Sequence, residues 1–376
     1  MPARSLALLD AREPRSAEIW RELEARAHAS YFLAWPWVER WLAALPEPVR
    51  PQLAVIRDGG APIAACFVAR RRERRRVVMT STVVHVNATG LARHDELCIE
   101  HNGLLAAPGA GASFGDLLAR LPGSWDELAI GAADRDAVRD LAALPGYRVR
   151  VDHASRAPYV ELAAVRAAGG DYAAVLGAST RAQLRKARRK LGRLEVEIAC
   201  DAASATSIYD ELIAIHSRRW QACGEPGAFA DPWFARFHRE LIAARLPHGE
   251  IQLVRVRAGG RTLGCLYNLV WRGRVLFYQC GLASGGDPAV RPGYVCHAAA
   301  IEHSAREGHA VYDLLGGGEY KERLATGAAE LVWLRVQRPR LRFTLENYMV
   351  EAKRRSSARI ASALGARNLL PWPGST

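Results

Sequence analysis

The order of apolar and polar residues along the chain predicts two successive groups of helices and strands. Residues 16–45 show helical periodicity, with Ile19 and Trp20 on the apolar face. Strand-like runs at 52–57 and 62–70 follow, joined by a turn with two glycines that is typical of a β-hairpin. This group continues with strands predicted over 77–86, 125–130 and 158–162 and helices predicted over 113–121 and 135–144.

The second group repeats this order of elements. A hairpin predicted at 251–271 resembles the one at 52–70, and a glycine pair at 169–170 separates the two groups. Helices are predicted over 181–191, 205–222, 232–245 and 294–307, and strands over 195–199, 274–281, 311–313 and 331–337. We therefore predict an α/β (α+β) fold with domains at 1–168 and 169–340, followed by a basic C-terminal helix and tail at 341–376.

The composition and the residue spacings favour a globular protein without a membrane span or a metal site. The chain has 376 residues, and 49% of them are hydrophobic, which favours a globular protein. No apolar run reaches the length of a membrane span, and the N-terminal apolar stretch is too short for a signal peptide, so a cytoplasmic location is expected. The seven cysteines show no CxxC pair and the histidines no HExxH spacing, so we expect reduced thiols and no metal site.

The formal net charge of +13 leaves two interpretations open. A polyanionic partner such as a nucleotide cofactor, RNA or the anionic inner face of a membrane would be attracted to such a surface. A basic surface that serves solubility alone is equally consistent with the charge. No nucleic-acid-binding signature accompanies the arginine run at 70–76, so nucleic acid is not the expected partner.

The segment 311–324 carries the strongest candidate chemistry. A short apolar strand ends in Asp313, and a run of three glycines leads to Glu319, Tyr320 and Lys321. An acid placed where a strand ends can face a cleft, and consecutive glycines allow a ligand to approach the backbone closely. The phenol and the ammonium group that follow offer a proton donor and a cation. The alternative is a glycine turn between two surface elements.

Two further clusters of polar residues are candidates. Glu100, His101 and Asn102 interrupt an apolar segment, so they need either a ligand or internal hydrogen-bond partners. His216 and Arg219 lie three residues apart on a predicted helix and therefore face the same side. A core histidine on an apolar helix face is the alternative for His216.

The element order, together with three motifs, resembles one known family. The motifs are HSRRWQACG at 216–224, RPGYVCHAAAIEHSAREG at 291–308 and YDLLGGGEYKERLA at 312–325. They are similar to those of GNAT acyltransferases, in particular the BioF2-like or CelD-type proteins that are related to the FemAB peptidyltransferases. This resemblance implies two tandem GNAT-like domains, each a mixed, largely antiparallel twisted sheet flanked by helices.

The resemblance also implies a donor and a set of binding residues. Acyl-CoA is the implied co-substrate, with its pyrophosphate at Arg291, Gly293 and Tyr294, although the second glycine of the family's pattern is absent. No tightly bound cofactor is expected. Contacts to the substrates are expected from Glu100, His101, Asn102, Arg219, Glu319 and Lys321.

The expected reaction is direct transfer of an acyl group from a thioester to an amine. Such a reaction needs a group that accepts the amine's proton and a group that protonates the thiolate. The candidates are His216, Tyr278, Asp313 and Tyr320, with His101 as a further possible base; no cysteine stands in a nucleophile setting. The amine is expected in a sphingoid-type envelope lipid or a polysaccharide. The alternatives are a FemAB-like transferase that uses aminoacyl-tRNA on a cell-wall precursor and a non-catalytic GNAT scaffold.

Overall fold

A computed structural model describes residues 4–75, 79–284, 287, 289–341 and 343. The predicted C-terminal helix and tail at 341–376 lies almost entirely outside the described residues. In chain order, the strands are β1 Ser5–Asp10, β2 Gln52–Asp58, β3 Ala61–Arg75, β4 Met79–Val86, β5 Leu105–Ala106, β6 Glu127–Asp134, β7 Arg148–Glu161, β8 Leu194–Ile198, β9 Ile251–Ala258, β10 Arg261–Trp271, β11 Arg274–Leu282, β12 Val311–Asp313 and β13 Gly327–Gln337.

Helices flank the sheet along the described chain. They are α1 Pro14–Arg26, α2 Trp35–Ala44, α3 Ala92–Asp95, α4 Phe114–Arg120, α5 Leu162–Ala167, α6 Tyr172–Val175, α7 Ala178–Leu191, α8 Ala202–Ala222, α9 Pro232–Arg245, α10 Pro292–Arg306 and α11 Glu319–Glu322. Short 3-10 helices occupy Tyr31–Leu33, Arg135–Ala143, Ala228–Ala230 and Leu246–His248.

All the described strands belong to one sheet. Its order is β1-β2-β3-β4-β6-β13-β7-β12-β11-β10-β9-β8, with β5 paired to β3 outside this path. Most neighbours are antiparallel, but β4 pairs with β6 and β11 pairs with β12 in parallel. The mixed, largely antiparallel sheet with flanking helices confirms the predicted fold class.

The two halves of the sheet are built alike and exchange their last strands. In each half, a hairpin leads to a strand that pairs in parallel with a later strand over only three residues, β4 with β6 and β11 with β12. Strand β7 then pairs with β12 of the second half, while β13 pairs with β6 of the first half. Strands β7 and β13 also pair with each other. The predicted division at residue 168 stays a prediction. Strands β7 and β13 each pair with a strand of the other half.

The hydrophobic core explains how the halves hold together on one face of the sheet. Helices α1 and α2 of the first half pack there beside α8 and α9 of the second. Trp37 of α2 lies with its ring centroid 5.2 Å from that of Phe237 on α9, in an edge-to-face arrangement. Two other clusters cover the opposite face, one beneath α10 and one beneath α4.

Local sequence patterns predict most of the helices and strands. The strand segments that they do not predict include β1 and the first part of β7. The helix predicted over 232–245 is α9 with the same bounds, and the hairpin at 251–271 is β9 and β10. Strand β1 was not predicted, and the strand predicted over 158–162 is only the end of β7, which starts at Arg148. The first part of β7 is polar and mostly exposed, so it lacks the apolar signal on which the prediction depends.

Candidate active site

A cleft opens where strands β11 and β12 stop pairing. Their parallel register covers only residues 274–276 with 311–313, after which β12 ends while β11 continues to Leu282. Backbone groups of β11 beyond this point therefore have no strand partner on the β12 side. A bulge at Tyr278 interrupts the pairing of β11 with β10 and bends the strand at this position. The cleft has a volume of about 620 Å³, within the usual range for small-molecule sites.

Helix α8 packs closely along β11 and forms one wall of the cleft. Gly281 permits this contact, because a Cβ atom there would lie against the carbonyl oxygen of Leu212. One turn further, Nδ1 of His216 donates a hydrogen bond to the carbonyl oxygen of Cys280 at 3.0 Å. Nε2 of His216 has no partner among the described residues, and burial lowers the pKa of the imidazole. The side chain is therefore neutral near pH 7.

Helix α10 directs its N-terminus at the same cleft. Its N-cap, Arg291, has left-handed backbone angles and makes no side-chain capping hydrogen bond, and Pro292 follows as the first helical residue. The amide of Gly293 has no backbone acceptor among the described residues, and Arg291 and Tyr294 line the cleft. A free helix N-terminus with an adjacent guanidinium group favours an anion such as a phosphate.

The corresponding helix of the first half is closed to such a ligand. Helix α4 comes after β4 with α3 and β5 between them, whereas α10 follows β11 directly. Ser113 and Asp116 form a capping box at the N-terminus of α4. Asp116 also forms an ion pair with Arg4 at 2.5 Å. A carboxylate already occupies the position that an anionic ligand would take, so the two halves differ at this site.

The glycine loop after β12 forms the opposite wall of the cleft. Leu315, Gly317 and Gly318 all have positive φ angles, which strains the backbone at Leu315 because it carries a side chain. Two charged side chains hold Gly316 between them. Its amide donates to Oε2 of Glu100 at 2.7 Å, and its carbonyl accepts a hydrogen bond from Nζ of Lys321 at 2.7 Å.

Tyr320 and Lys321 line the cleft, as do the predicted substrate residues Arg219 and Glu319. The hydroxyl of Tyr320 makes no hydrogen bond to the described residues, and burial raises the pKa of the phenol, so it stays protonated at neutral pH. Burial lowers the pKa of Lys321 while the nearby carboxylate of Glu100 opposes this. Arg219 forms no ion pair within the described part of the chain and leaves a cation on the cleft wall.

His101 and Asp313 form a buried ionic cluster outside this cleft. Nδ1 of His101 lies 2.9 Å from Asp134, which ends β6, and Nε2 lies 3.1 Å from Asp313, which ends β12. Burial lowers the pKa of His101, but the two carboxylates outweigh it and raise that pKa to about 10. Asp313 also binds Arg274 at 2.8 Å and the amide of Leu315 at 2.9 Å.

The predicted site is therefore only partly assembled. Tyr278 directs its hydroxyl into the aromatic core, where it donates to the carbonyl oxygen of Leu97 at 2.6 Å and lies 3.1 Å from Nε2 of His238. Asn102 is buried and donates to the carbonyl oxygen of Val86. The residues that line this one cleft are His216, Arg219, Arg291, Tyr294, Glu319, Tyr320 and Lys321, together with Tyr278, whose hydroxyl is engaged in the core. His101, Asn102 and Asp313 are engaged elsewhere.

The sequence does not single out the polar residues Gln279 and Arg323, which line the cleft, or His297, which lies beside it. His297 on α10 is fully buried, its Nε2 has no partner among the described residues, and burial lowers the pKa of the imidazole to about 3. Its ring centroid lies 6.3 Å from that of Tyr320. The residue belongs to one of the quoted motifs, but a single histidine on an apolar helix carries no pattern that distinguishes it from core packing.

A second cleft adjoins the first. It has a volume of about 550 Å³ and lies over the first half of the sheet, where β4 and β6 diverge. Its polar lining includes Glu100, His153 and Arg335. Gly316 and Gly317 line both clefts, so the glycine loop is their common wall.

Comparison with known proteins identifies a matching domain family and solved structures with a similar fold. Residues 178–322 match the family model described as acetyltransferase (GNAT) domain. The fold is similar to that of FemX, with a TM-score of 0.54, 10% identity and coverage of 84% of this chain and 94% of FemX. It is also similar to that of L-PGS from Bacillus licheniformis, with a TM-score of 0.51, 10% identity and coverage of 87% and 93%. No curated protein sequence matches the chain significantly.

Residues 178–322 therefore form an acetyltransferase (GNAT) domain, and the fold of the chain over most of its length is similar to that of FemX. The matched segment contains α8, β11, α10 and the glycine loop, which together form the first cleft described above. None of the described helices combines the length and the apolar composition that a membrane span requires. The described residues contain no group of His, Cys, Asp or Glu side chains arranged to hold a metal ion.

Proposed function

We propose that the cleft between β11 and β12 binds an acyl-CoA and that the protein transfers the acyl group directly to an amine. The observation that carries this proposal is the uncapped N-terminus of α10 beside the unpaired edge of β11. A helix N-terminus with Arg291 favours a pyrophosphate, and the free backbone groups of β11 favour the amide-containing arm of the donor.

The residues around the cleft suit the expulsion of a thiolate. The phenol of Tyr320 stays protonated at neutral pH and makes no hydrogen bond to the described residues. It can therefore protonate the sulfur as the carbon–sulfur bond breaks. Lys321 and Arg219 add positive charge beside the reacting groups, which stabilises negative charge that develops during transfer.

The acceptor is proposed to be an amine of a cell-envelope lipid or polysaccharide. The polar second cleft adjoins the donor cleft at Gly316 and Gly317, so it offers a route by which a polar amine reaches the acyl group. A location in the cytoplasm or at the inner face of the membrane is part of the same proposal.

An aminoacyl donor is the second candidate. The folds of FemX and L-PGS are similar to that of this chain over most of its length, and the net charge of +13 suits a tRNA carrier. The uncapped helix N-terminus favours the acyl-CoA, because it provides a local site for a pyrophosphate.

Thermal unfolding in the presence of CoA, acetyl-CoA, palmitoyl-CoA and tRNA at fixed salt separates the candidates. A ligand that binds only the folded protein raises the melting temperature by mass action. We expect stabilisation by CoA species, and the ranking of acetyl-CoA against palmitoyl-CoA gives the preferred chain length. Stabilisation by tRNA with no response to any CoA species would overturn the proposal.

A further inference from the structure

The groups that a sequence-based assignment offers as bases are mostly engaged in the structure. His101 and Asp313 bind each other, and the hydroxyl of Tyr278 donates to a carbonyl oxygen. Nε2 of His216 is buried and makes no hydrogen bond to the described residues, so it is shielded from an incoming amine. The acceptor's proton therefore needs another destination.

Glu100 stands at the junction of the two clefts. Its side chain lines the second cleft, and its Oε2 accepts a hydrogen bond from the amide of Gly316, which lines both clefts. A Cβ added to Gly316 would lie 3.2 Å from Oε1 of Glu100, so glycine at this position lets the carboxylate reach the common wall. Oε1 makes no hydrogen bond to the described residues and keeps a free acceptor site.

We propose that Glu100, from the first half of the chain, is the general base for acyl transfer in the cleft of the second half. This inference rests on the proposed function. An ammonium group that enters through the second cleft gives one proton to Glu100. The amine nitrogen then forms a bond to the thioester carbon, the carbon–sulfur bond breaks, and the second proton of the amine reaches the thiolate by way of Tyr320. The products are the amide, CoA and one proton, which Glu100 releases to solvent.

The surroundings of Glu100 support this role. Burial raises the pKa of the carboxyl group, while the hydrogen bond from Gly316 and the charges of Lys321 and His101 oppose the shift, and Asp313 adds to it. A carboxylate with a raised pKa is a stronger proton acceptor than an exposed one. Lys321, which lines the donor cleft, donates a hydrogen bond to the carbonyl oxygen of Gly316. Gly316 therefore connects Glu100 to a residue of the donor site.

The test compares two kinds of nucleophile, protonated amines and neutral hydroxylamine, in wild type and Glu100→Gln. The amide oxygen of glutamine still accepts the hydrogen bond from Gly316, so this substitution removes the base and keeps the contact. Acetyl transfer from acetyl-CoA is measured to glucosamine, ethanolamine and sphinganine, which are protonated at neutral pH, and to hydroxylamine, which is not. In Glu100→Gln, we expect kcat to fall by about 10²-fold or more with whichever of the three amines the wild type acylates. We expect kcat with hydroxylamine to change little. We also expect stabilisation by CoA to be retained.

Each other outcome overturns a defined part of the account. An equal fall in kcat with the amine and with hydroxylamine would show that Glu100 only supports the loop. An unchanged kcat with the amine would show that Glu100 is dispensable. Either result overturns the inference and leaves the proposed function standing. Stabilisation of the wild type by CoA without transfer to any of the amines would overturn the inference together with the proposed acceptor. A wild type with no response to CoA would overturn the proposed function itself.

Discussion

Nε2 of His101 lies 3.1 Å from a carboxylate oxygen of Asp313, although 212 residues separate the two in the chain. The contact joins a loop of the first half to the end of β12 in the second half. Asp313 is 1% exposed, so its charge depends on His101 and Arg274 for compensation. Removal of one partner from a buried ion pair commonly costs several kcal/mol, because the other charge stays buried.

His101→Gln is expected to lower the free energy of unfolding by about 3 kcal/mol near pH 6. Folding raises the pKa of His101 from 6.5 to about 10, so its contribution is complete below pH 6.5 and is lost as the pH rises towards 10. The difference between wild type and variant should therefore shrink over this range in urea unfolding. Asp313 behaves oppositely: its lowered pKa gives stability that is lost as the pH falls below its unfolded value.

The exposed His28 provides the control for that measurement. His28→Gln should change the unfolding free energy by no more than about 0.5 kcal/mol, as is usual for surface substitutions. A His101→Gln effect that stays constant from pH 6 to pH 10 would contradict the assignment of a charged imidazole between two carboxylates.

Gly281→Ala tests the close packing of α8 on β11. The added methyl group would meet the carbonyl oxygen of Leu212, so we expect a loss of about 1–3 kcal/mol in the free energy of unfolding and weaker binding in the adjoining cleft. Gly103→Ala is the matched control, since a Cβ there meets nothing within 4 Å. Equal stability of the two variants in urea unfolding would show that the helix does not lie as close to the strand.

Tyr320→Phe tests protonation of the leaving thiolate. We expect kcat for CoA release from acetyl-CoA to fall by about 10²-fold with little change in KM, because general acid catalysis typically contributes that much. Tyr294→Phe keeps a ring in the same cleft and should retain most of the activity. Loss of activity in both variants alike would indicate that aromatic packing, and not the hydroxyl of Tyr320, is required.

The sequence predicts helices and strands that have a local periodic pattern. It does not predict which residues from distant parts of the chain come into contact. The sequence identifies Asp313 as an acid at the end of a strand, and it predicts that His216 and Arg219 share a helix face; both line the first cleft. The partners of His101 could not be predicted, because Asp134 and Asp313 belong to different halves of the sheet.

The position of β13 between β6 and β7 was unpredictable for a related reason. Periodicity predicts that a segment is a strand, but it carries no information on which distant strand will be its neighbour. The bulge at Tyr278 is a further example, since one extra residue changes the face to which the following side chains point.

The donor site is placed at the N-terminus of α10, and calorimetric titration with CoA tests this location directly. We expect Arg291→Ala to weaken binding by roughly tenfold or more, because a hydrogen bond to a charged group contributes about 1.5 kcal/mol or more. Arg236→Ala removes an exposed arginine from α9, away from the cleft lining, and should leave the affinity unchanged. Equal affinity of wild type and Arg291→Ala, or no binding of CoA by the wild type, would contradict the account.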